Sequence, residues 1–259
     1  MRLFDHHIHS TRSDGTVSLD DRAKSVAIRP HGVSDHYPWP GGMQNDDDIR
    51  RYLDDASRLG LRVGIEYDLG VAPPLARSTH DALDYVIGSV HQLTIDGRRV
   101  GYDLAGAHLK GRTAPPYSEA SRFADAELQR RVLEQHLVLV REGILETGID
   151  IVGHPTMSPL AAIGDPESGY PAEWQERLIA LCLEHGVAIE INEAYRVPHR
   201  AFLERAHARG VRFSVGSDTH FALLPLDRTE AMIREAGVER APFLDGRRSQ
   251  EGVSTVTSS

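Results

Sequence analysis

The chain has 259 residues, of which 40% are hydrophobic and 26% are charged, and its net charge is −9. This composition is that of an ordinary globular protein with one large domain or two small ones. The acidic balance argues against nucleic acid as the main partner. No run of about 18 apolar residues is present, which argues against a transmembrane helix.

Two further features bear on the cellular compartment. The first ten residues, MRLFDHHIHS, lack the apolar stretch of a signal peptide. The single cysteine, Cys182, excludes an intramolecular disulfide and a cysteine-rich zinc site. We therefore expect a cytoplasmic protein.

Strand and helix patterns alternate along the chain. Short runs rich in β-branched and apolar residues predict seven strands, at residues 3–7, 31–34, 62–66, 85–90, 150–153, 187–191 and 212–216. Amphipathic patterns predict helices at about 46–59, 121–147, 172–185 and 198–209. A glycine follows each of these helices directly and can adopt the left-handed conformation of a helix end.

This order of elements predicts the fold class. Nearly continuous Val/Ile strands are typical of a parallel sheet that is covered on both faces. Seven such strands joined by helices predict a seven-stranded β/α barrel, and a doubly wound open sheet is the alternative. Asp96-Gly97 also predicts a β-hairpin within residues 93–102, LTIDGRRVGY, inserted after the fourth strand. We expect one domain over residues 1–245 and a disordered Ser/Thr-rich tail over residues 246–259.

Polar side chains that can bind a metal lie at or just beyond the end of every predicted strand. His7 and His9 are two residues apart, so both imidazoles face one side of the first strand, and Asp218 and His220 repeat this spacing after the seventh. The strands between them lead into His36, Glu66, His91, His154, Glu190 and Asn192. Because the carboxyl ends of barrel strands meet on the active-site face, we expect these side chains to converge.

The donor types indicate the kind of metal site. Six histidines, two aspartates and one glutamate form the candidate ligand set: His7, His9, Asp14, His36, Glu66, His91, His154, Asp218 and His220. Nitrogen and oxygen donors without sulfur suit Zn, Mn or Fe. Nine ligands are too many for one ion, so the set predicts two or three divalent metal ions bridged by a carboxylate.

The motifs DHHIHSTRSDG, SDH, GIEYD, IGSVH, IVGHP and GSDTH occur in this order and resemble the polymerase-and-histidinol-phosphatase (PHP) family. The resemblance covers residues 1 to about 237 and is strongest to stand-alone histidinol-phosphate phosphatases. It implies a distorted seven-stranded (β/α)7 TIM-like barrel with a trinuclear metal centre. It also implies three ligand sets: His7, His9, Asp218 and Glu66; Glu66, His91 and His154; and Asp14, His36 and His220.

The resemblance implies hydrolysis of a phosphomonoester, and we expect a hydroxide that bridges two ions to attack phosphorus. Glu66, Asp218 and His220 are the predicted catalytic residues. The expected substrate is L-histidinol phosphate. The alternatives are a phosphate ester of another small metabolite or nucleotide and, more remotely, a non-catalytic PHP module.

Substrate contacts are predicted from single residues. Arg196 follows the sixth strand, where histidinol-phosphate phosphatases also place an arginine, and a guanidinium fork matches the geometry of phosphate. After the fifth strand the chain departs from those phosphatases, because residues 155–160 contain no basic residue. Thr156 or Ser158 is the predicted hydrogen-bond donor there instead.

The remaining polar residues fall into two groups, one that supports the ligands and one without a predicted role. Asp5, Asp35, Asp68 and Asn192 are predicted to orient ligand imidazoles. A further group of histidines on helices or helix ends is predicted to be exposed to solvent: His31, His80, His136, His185, His199 and His207.

Overall fold

The computed structural model describes residues 3–164, 169–223 and 225–245, so the predicted tail at 246–259 lies outside the described residues. In chain order the elements are α1 (Leu19–Ser25), β1 (Gly32–Tyr37), α2 (Asp46–Arg58), β2 (Arg62–Asp68), α3 (Arg77–Ala82), β3 (Tyr85–Ser89), β4 (Gln92–Ile95), β5 (Arg98–Gly101), α4 (Asp103–Leu109), α5 (Ala126–Glu142), β6 (Ile151–Val152), α6 (Pro159–Ala162), α7 (Ala172–His185), β7 (Ala188–Asn192), α8 (Arg200–Ala208), β8 (Phe213–Gly216) and α9 (Asp227–Glu235). None of the described helices is both long enough and apolar enough to cross a membrane.

Six parallel strands form the main sheet, in the order β1-β2-β3-β6-β7-β8. The first predicted strand is not assigned as a strand, so the predicted seven strands are not confirmed. Residues 4–9 instead make isolated parallel bridges, in which Asp5 pairs with both His31 and Val215. This segment therefore lies between the two edge strands of the sheet, β1 and β8.

The sheet curls around a small apolar interior. Tyr85, Ile87, Ile151 and Ala188, from β3, β6 and β7, form a buried cluster of their own. The Tyr85 hydroxyl donates a hydrogen bond to the carbonyl of His6 at 2.8 Å, across the inside of the sheet. A side chain of β3 thus reaches the amino-terminal segment, which requires the sheet to be curved. The α/β class is confirmed, with a parallel sheet and helices on its outer face.

Capping side chains mark where α2 and α5 begin. The helix predicted at 172–185 is present as α7, and α2 begins where the Asn45 side chain accepts a hydrogen bond from the amide of Asp48. The long helix predicted at 121–147 is not continuous. The Asp125 side chain caps α5 by accepting from the Leu128 amide at 2.7 Å, and α5 is followed by a π-helical turn at Gly143–Thr147. Asp125 therefore separates α5 from the 3₁₀ turn at Arg122–Ala124.

The predicted hairpin is confirmed. β4 and β5 pair antiparallel, with Ile95 opposite Arg98 and the two turn residues between them. Asp96 and Gly97 have φ angles of 52° and 69°, as a two-residue hairpin turn of the I′ type requires. The chain continues from β5 into α4, so the hairpin and α4 form one segment inserted between β3 and α5.

Candidate metal centre

The structure brings all nine predicted ligands together at the carboxyl ends of the strands. They fall into four overlapping groups, and within each group one ligand atom per residue lies within 4.8 Å of the others. The groups are His9, Asp14, His36 and His220; His7, Glu66 and His154; His7, His9 and Asp218; and His36, Glu66 and His91.

Glu66 lies at the centre of this cluster and is almost completely buried. Its Oε2 lies 3.2 Å from His7 Nε2 and 2.9 Å from His36 Nδ1. Its Oε1 lies 2.9 Å from His154 Nε2 and 3.2 Å from His91 Nε2. A carboxylate whose two oxygens each face two imidazoles has the arrangement expected of a bridging ligand.

Asp14 and Asp218 occupy the other side of the cluster. Asp14 Oδ2 lies 3.0 Å from His220 Nε2, and Asp14 Oδ1 lies 3.6 Å from His36 Nε2. Asp218 Oδ1 lies 3.7 Å from His9 Nε2 and 3.3 Å from His220 Nδ1. The loop after the first predicted strand thus carries Asp14 to within reach of histidines from β1 and the β8 end.

Several buried atoms of the cluster have no hydrogen-bond partner among the described residues. They are His7 Nε2, both ring nitrogens of His9, and Glu66 Oε2. A buried polar atom left unpaired costs about 1–3 kcal/mol, so four of them in one place require an explanation. Their lone pairs can be shared with a divalent cation, and the nitrogen and oxygen donors suit Zn, Mn or Fe. The residues present therefore fit a metal centre.

Protonation of the cluster is consistent with this fit. Burial lowers the pKa of His9 to about 3, with the neighbouring His36 adding to the effect, so the His9 ring is neutral, as a metal ligand must be. Burial opposes the charged form of His36 and His91 too, but the Glu66 carboxylate raises their pKa values to about 9 and about 10. Protons on His36 and His91 therefore balance the negative charge of Glu66, as a bound cation would.

Glu190 supports the cluster from below. It is fully buried, and its Oε1 lies 2.7 Å from His7 Nδ1, which turns Nε2 of that ring towards Glu66. Its Oε2 accepts hydrogen bonds from the His154 amide at 2.5 Å and from Asn192 Nδ2 at 3.1 Å. A carboxylate behind a ligand histidine fixes the orientation of its ring. From the sequence, Glu190 was predicted at a strand end without a specific role.

The four residues predicted to orient ligand rings differ in their contacts. Asp68 Oδ1 lies 3.3 Å from His91 Nδ1, as predicted. Asp35 instead accepts hydrogen bonds from Ser10 and Ser13, and thereby fixes the loop that carries Asp14. Asp5 accepts from the amides of His7 and Ser217 and pairs with Arg29, and Asn192 Oδ1 accepts from the Tyr195 amide. Among the described residues, Asp5, Asp35 and Asn192 therefore hydrogen-bond backbone amides and loop side chains rather than a ligand ring.

A cavity of about 480 Å³ opens over the cluster. Trp39 lies on one wall, stacked on His36 with ring centroids 5.4 Å apart, and Tyr195 lies on another. The segment made of the hairpin, α4 and the residues that follow supplies a large share of the remaining lining: Gln92, Arg99, Tyr102, Asp103, Gly106, Ala107, Lys110 and Arg112.

The predicted substrate contacts lie elsewhere. Arg196 is exposed and falls outside the described residues that line the cavity. Thr156 and Ser158 are fully buried, and Ser158 caps α6 by accepting from the Leu160 amide. The cavity lining also contains Lys110, which no sequence pattern indicated and whose Nζ lies 3.5 Å from Asp218 Oδ2.

Not all the other histidines lie at the surface. His31 and His136, which were predicted to be exposed, are 2% and 3% exposed. His136 lies on α5, where its ring packs edge-on against Trp174 of α7 and its Nδ1 lies 3.3 Å from the Tyr102 hydroxyl. The prediction failed because the face of α5 that carries His136 is covered by α7.

A curled parallel α/β sheet with a His/Asp/Glu cluster at its carboxyl ends defines a barrel-like protein with a candidate metal centre. The family model of the PHP domain matches residues 5–194. The chain therefore belongs to the PHP family.

Several solved structures resemble the chain, including the following two. One is assigned as the histidinol phosphatase HisK of Listeria monocytogenes, with a TM-score of 0.63 and 15% identity, covering 84% of this chain and 95% of that chain. The other is the histidinol phosphate phosphatase of Lactococcus lactis subsp. lactis Il1403, complexed with zinc, L-histidinol and phosphate, with a TM-score of 0.57, 15% identity and coverage of 94% and 95%. At this identity the likeness establishes the fold. No curated protein matches the chain significantly.

Proposed function

We propose that the protein is a metal-dependent phosphomonoesterase and that L-histidinol phosphate is its substrate. The observation that carries this proposal is the position of Glu66, whose two oxygens face four imidazoles beneath an open cavity. Membership of the PHP family supports the reaction class. The Lactococcus lactis relative, which holds zinc, L-histidinol and phosphate, supports the substrate.

The nine residues would hold two or three ions of zinc, manganese or iron. Following the family resemblance, we assign His7, His9, Asp218 and Glu66 to a first ion, Glu66, His91 and His154 to a second, and Asp14, His36 and His220 to a third. The groups in the structure instead place His154 with His7 and His91 with His36 around Glu66. We also propose that residues 4–9 take the place of the seventh strand of a closed barrel, because they lie between the edge strands β1 and β8.

Bound divalent ions supply a nucleophilic water of lowered pKa and neutralise the charge on phosphate oxygens. The protein positions these functions. Glu66 fixes the separation of the two imidazole pairs, and Glu190 holds the His7 ring in place. Trp39 and Tyr195 form two walls of the cavity and would limit the access of bulk water to a bound phosphate.

One observation favours a second candidate substrate. Three basic side chains, Arg99, Lys110 and Arg112, line the cavity together with Asp68 and Asp103 as acidic groups outside the ligand set. Histidinol carries a cationic amine, whereas a nucleotide or another metabolite with a second anionic group would pair with these basic residues. A nucleotide or small-metabolite phosphate is therefore the alternative.

The test is a panel of phosphomonoesters that includes L-histidinol phosphate, nucleoside monophosphates and sugar phosphates. The protein is freed of metal with a chelator and reconstituted with Zn²⁺ or Mn²⁺ before each assay. We expect release of phosphate only after reconstitution, with the highest kcat/KM for L-histidinol phosphate. A protein that binds two or more ions and hydrolyses no member of the panel would instead be a non-catalytic module.

A further inference from the structure

We propose that Lys110 binds the phosphate group of the substrate from the side of the cavity that carries Asp218 and Tyr195. This inference rests on the proposed function, because it assigns a residue to the phosphate of that reaction. Lys110 directly follows α4 and belongs to the lining of the cavity. It is one of only two lysines in a chain with 29 basic residues.

The position of the ammonium group carries the proposal. Its side chain is 12% exposed, and its Nζ lies 3.5 Å from Asp218 Oδ2. The same Nζ lies 4.2 Å from the centroid of the Tyr195 ring, within the range of a cation–π interaction. Lys110 thus reaches the edge of the ligand cluster from the inserted segment, and its charge is directed into the cavity.

The packing of α4 explains how the side chain is held there. A Cβ built at Gly106 would lie 3.2 Å from the Tyr195 ring, so glycine at this position lets α4 approach the ring closely. The ring then forms a platform under the ammonium group, which is fixed without a short hydrogen bond. An ammonium group has three donors, and a long contact to one carboxylate oxygen leaves donors for a further acceptor.

Comparison with the other basic residues singles out Lys110. Arg99 is 65% exposed and contacts Gln92 and Asp103, and Arg112 is exposed at the rim. Arg196 is exposed and lies outside the lining. A charge held away from water interacts more strongly with a phosphate than an exposed charge does. Lys110 is therefore the cation best placed to neutralise the phosphate beside the metal ligands.

The first experiment uses the unmodified protein and its small number of lysines. The metal-reconstituted protein is treated with acetic anhydride, with and without inorganic phosphate, and acetylation of each lysine is followed by peptide mass spectrometry. We expect phosphate to slow acetylation of Lys110 several-fold and to leave Lys24 unchanged, because Lys24 is 76% exposed and pairs with Asp21 on α1. Equal acetylation of Lys110 with and without bound phosphate overturns the proposal.

The second experiment compares Lys110→Met with Lys24→Met and Lys110→Arg. The dissociation constant of inorganic phosphate is measured by calorimetry on metal-reconstituted protein, and bound metal is counted by elemental analysis. Loss of a charge-assisted contact should weaken phosphate binding by roughly 10- to 100-fold in Lys110→Met. Lys24→Met should bind as the parent does, and Lys110→Arg should recover part of the affinity.

Two outcomes contradict the proposal. If Lys110→Met binds less metal and phosphate affinity falls only in proportion, Lys110 is merely the counter-ion of Asp218. If Arg196→Ala weakens phosphate binding and Lys110→Met does not, the phosphate contact belongs to Arg196. Neither outcome bears on hydrolysis itself, whereas an inactive parent protein whose Lys110 is still protected by phosphate would refute the proposed function alone.

Discussion

Two sets of buried histidines can be compared within this molecule. The buried histidines at the strand ends face carboxylates, as His7 and His154 face Glu66. His6 and His136 are equally buried but lie among aromatic rings: His6 packs edge-on against Phe4 and Tyr85, and His136 packs against Trp174. Burial is common to both sets, so burial alone does not make a metal site.

The pKa values of His36 and His91 show the same contrast, whereas the pKa of His9 is lowered as in the second set. Burial lowers the pKa of His6 to about 4 and that of His136 to about 3, so both rings stay neutral in the fold. In the cluster the Glu66 carboxylate overcomes the effect of burial and raises the pKa of His91 to about 10. The neighbouring carboxylates therefore distinguish a cluster that can take up cations from histidines that only fill space.

The largest expected effect comes from removing the central carboxylate. Glu66→Gln keeps the size of the side chain but leaves one oxygen to serve four imidazoles. We expect loss of several kcal/mol of transition-state stabilisation, about 10³-fold in kcat, together with loss of bound metal. Steady-state kinetics and elemental analysis measure the two effects, and Glu127→Gln, at an exposed pair with Arg130, is the control. Full activity in Glu66→Gln would remove Glu66 as the bridging ligand.

Metal binding should raise the free energy of unfolding, and only the candidate ligands at the strand ends should contribute to this increase. At a free metal concentration of about 100 times Kd, binding adds about 2.7 kcal/mol to the free energy of unfolding. Thermal unfolding with chelator and with Zn²⁺ measures this increment. His136→Phe should keep the full increment, because His136 lies on α5 and outside the groups of candidate ligands. A lost increment in this variant would contradict the division into two sets.

A smaller effect is expected where a carboxylate acts through a ligand ring. Glu190→Gln should weaken metal affinity by about 10- to 100-fold, since Glu190 orients His7. Glu193 lies close by in the sequence but accepts hydrogen bonds from the amides of Arg228 and Thr229 at the start of α9. Glu193→Gln should therefore leave metal affinity unchanged, as measured by competition with a chromogenic chelator. Equal losses in the two variants would show a general disturbance of the fold.

The smallest expected effect is the contribution of the buried His136 to the pH dependence of the free energy of unfolding. The folded protein keeps His136 neutral down to pH about 3, whereas the unfolded chain binds a proton at this residue below about pH 6.5. Stability is therefore full above pH 6.5 and falls by up to about 1.4 kcal/mol per pH unit as the pH drops below it. The free energy of unfolding of metal-free protein is measured in urea between about pH 7.5 and about pH 5.5, on either side of the ordinary histidine pKa of about 6.5. It should fall less steeply with decreasing pH in His136→Phe than in the parent protein. Identical slopes would contradict the assignment.

The strand ends were predictable because their signals are local. A two-residue spacing such as His7-x-His9, or the step from a buried strand into His91 or His154, is visible in a few consecutive residues. Convergence of these ends follows from parallel pairing, and the structure places His36 opposite Glu66 in the register of β1 and β2. The hairpin at Asp96-Gly97 was predictable for the same reason, because its turn chemistry lies in two residues.

The features that were missed depend on contacts between distant residues. Lys110 meets Tyr195 and Asp218 only after α4 has folded over the strand ends. Glu190 meets His7 from the opposite end of the chain. His136 looked exposed because the helical pattern of α5 does not reveal that α7 covers it. The one available signal for Lys110 was its rarity, as a lysine among arginines.

The segment at residues 92–112 contains the hairpin, α4 and Lys110, but none of the nine candidate ligands. Much of the described cavity wall outside the ligand set thus lies in a stretch of the chain separate from the nine candidate ligands. Binding surfaces carried on such connections can change while the scaffold stays constant. Exchange of this one continuous stretch with Lys110 retained, by evolution or by design, would therefore reshape the cavity wall without moving any candidate metal ligand.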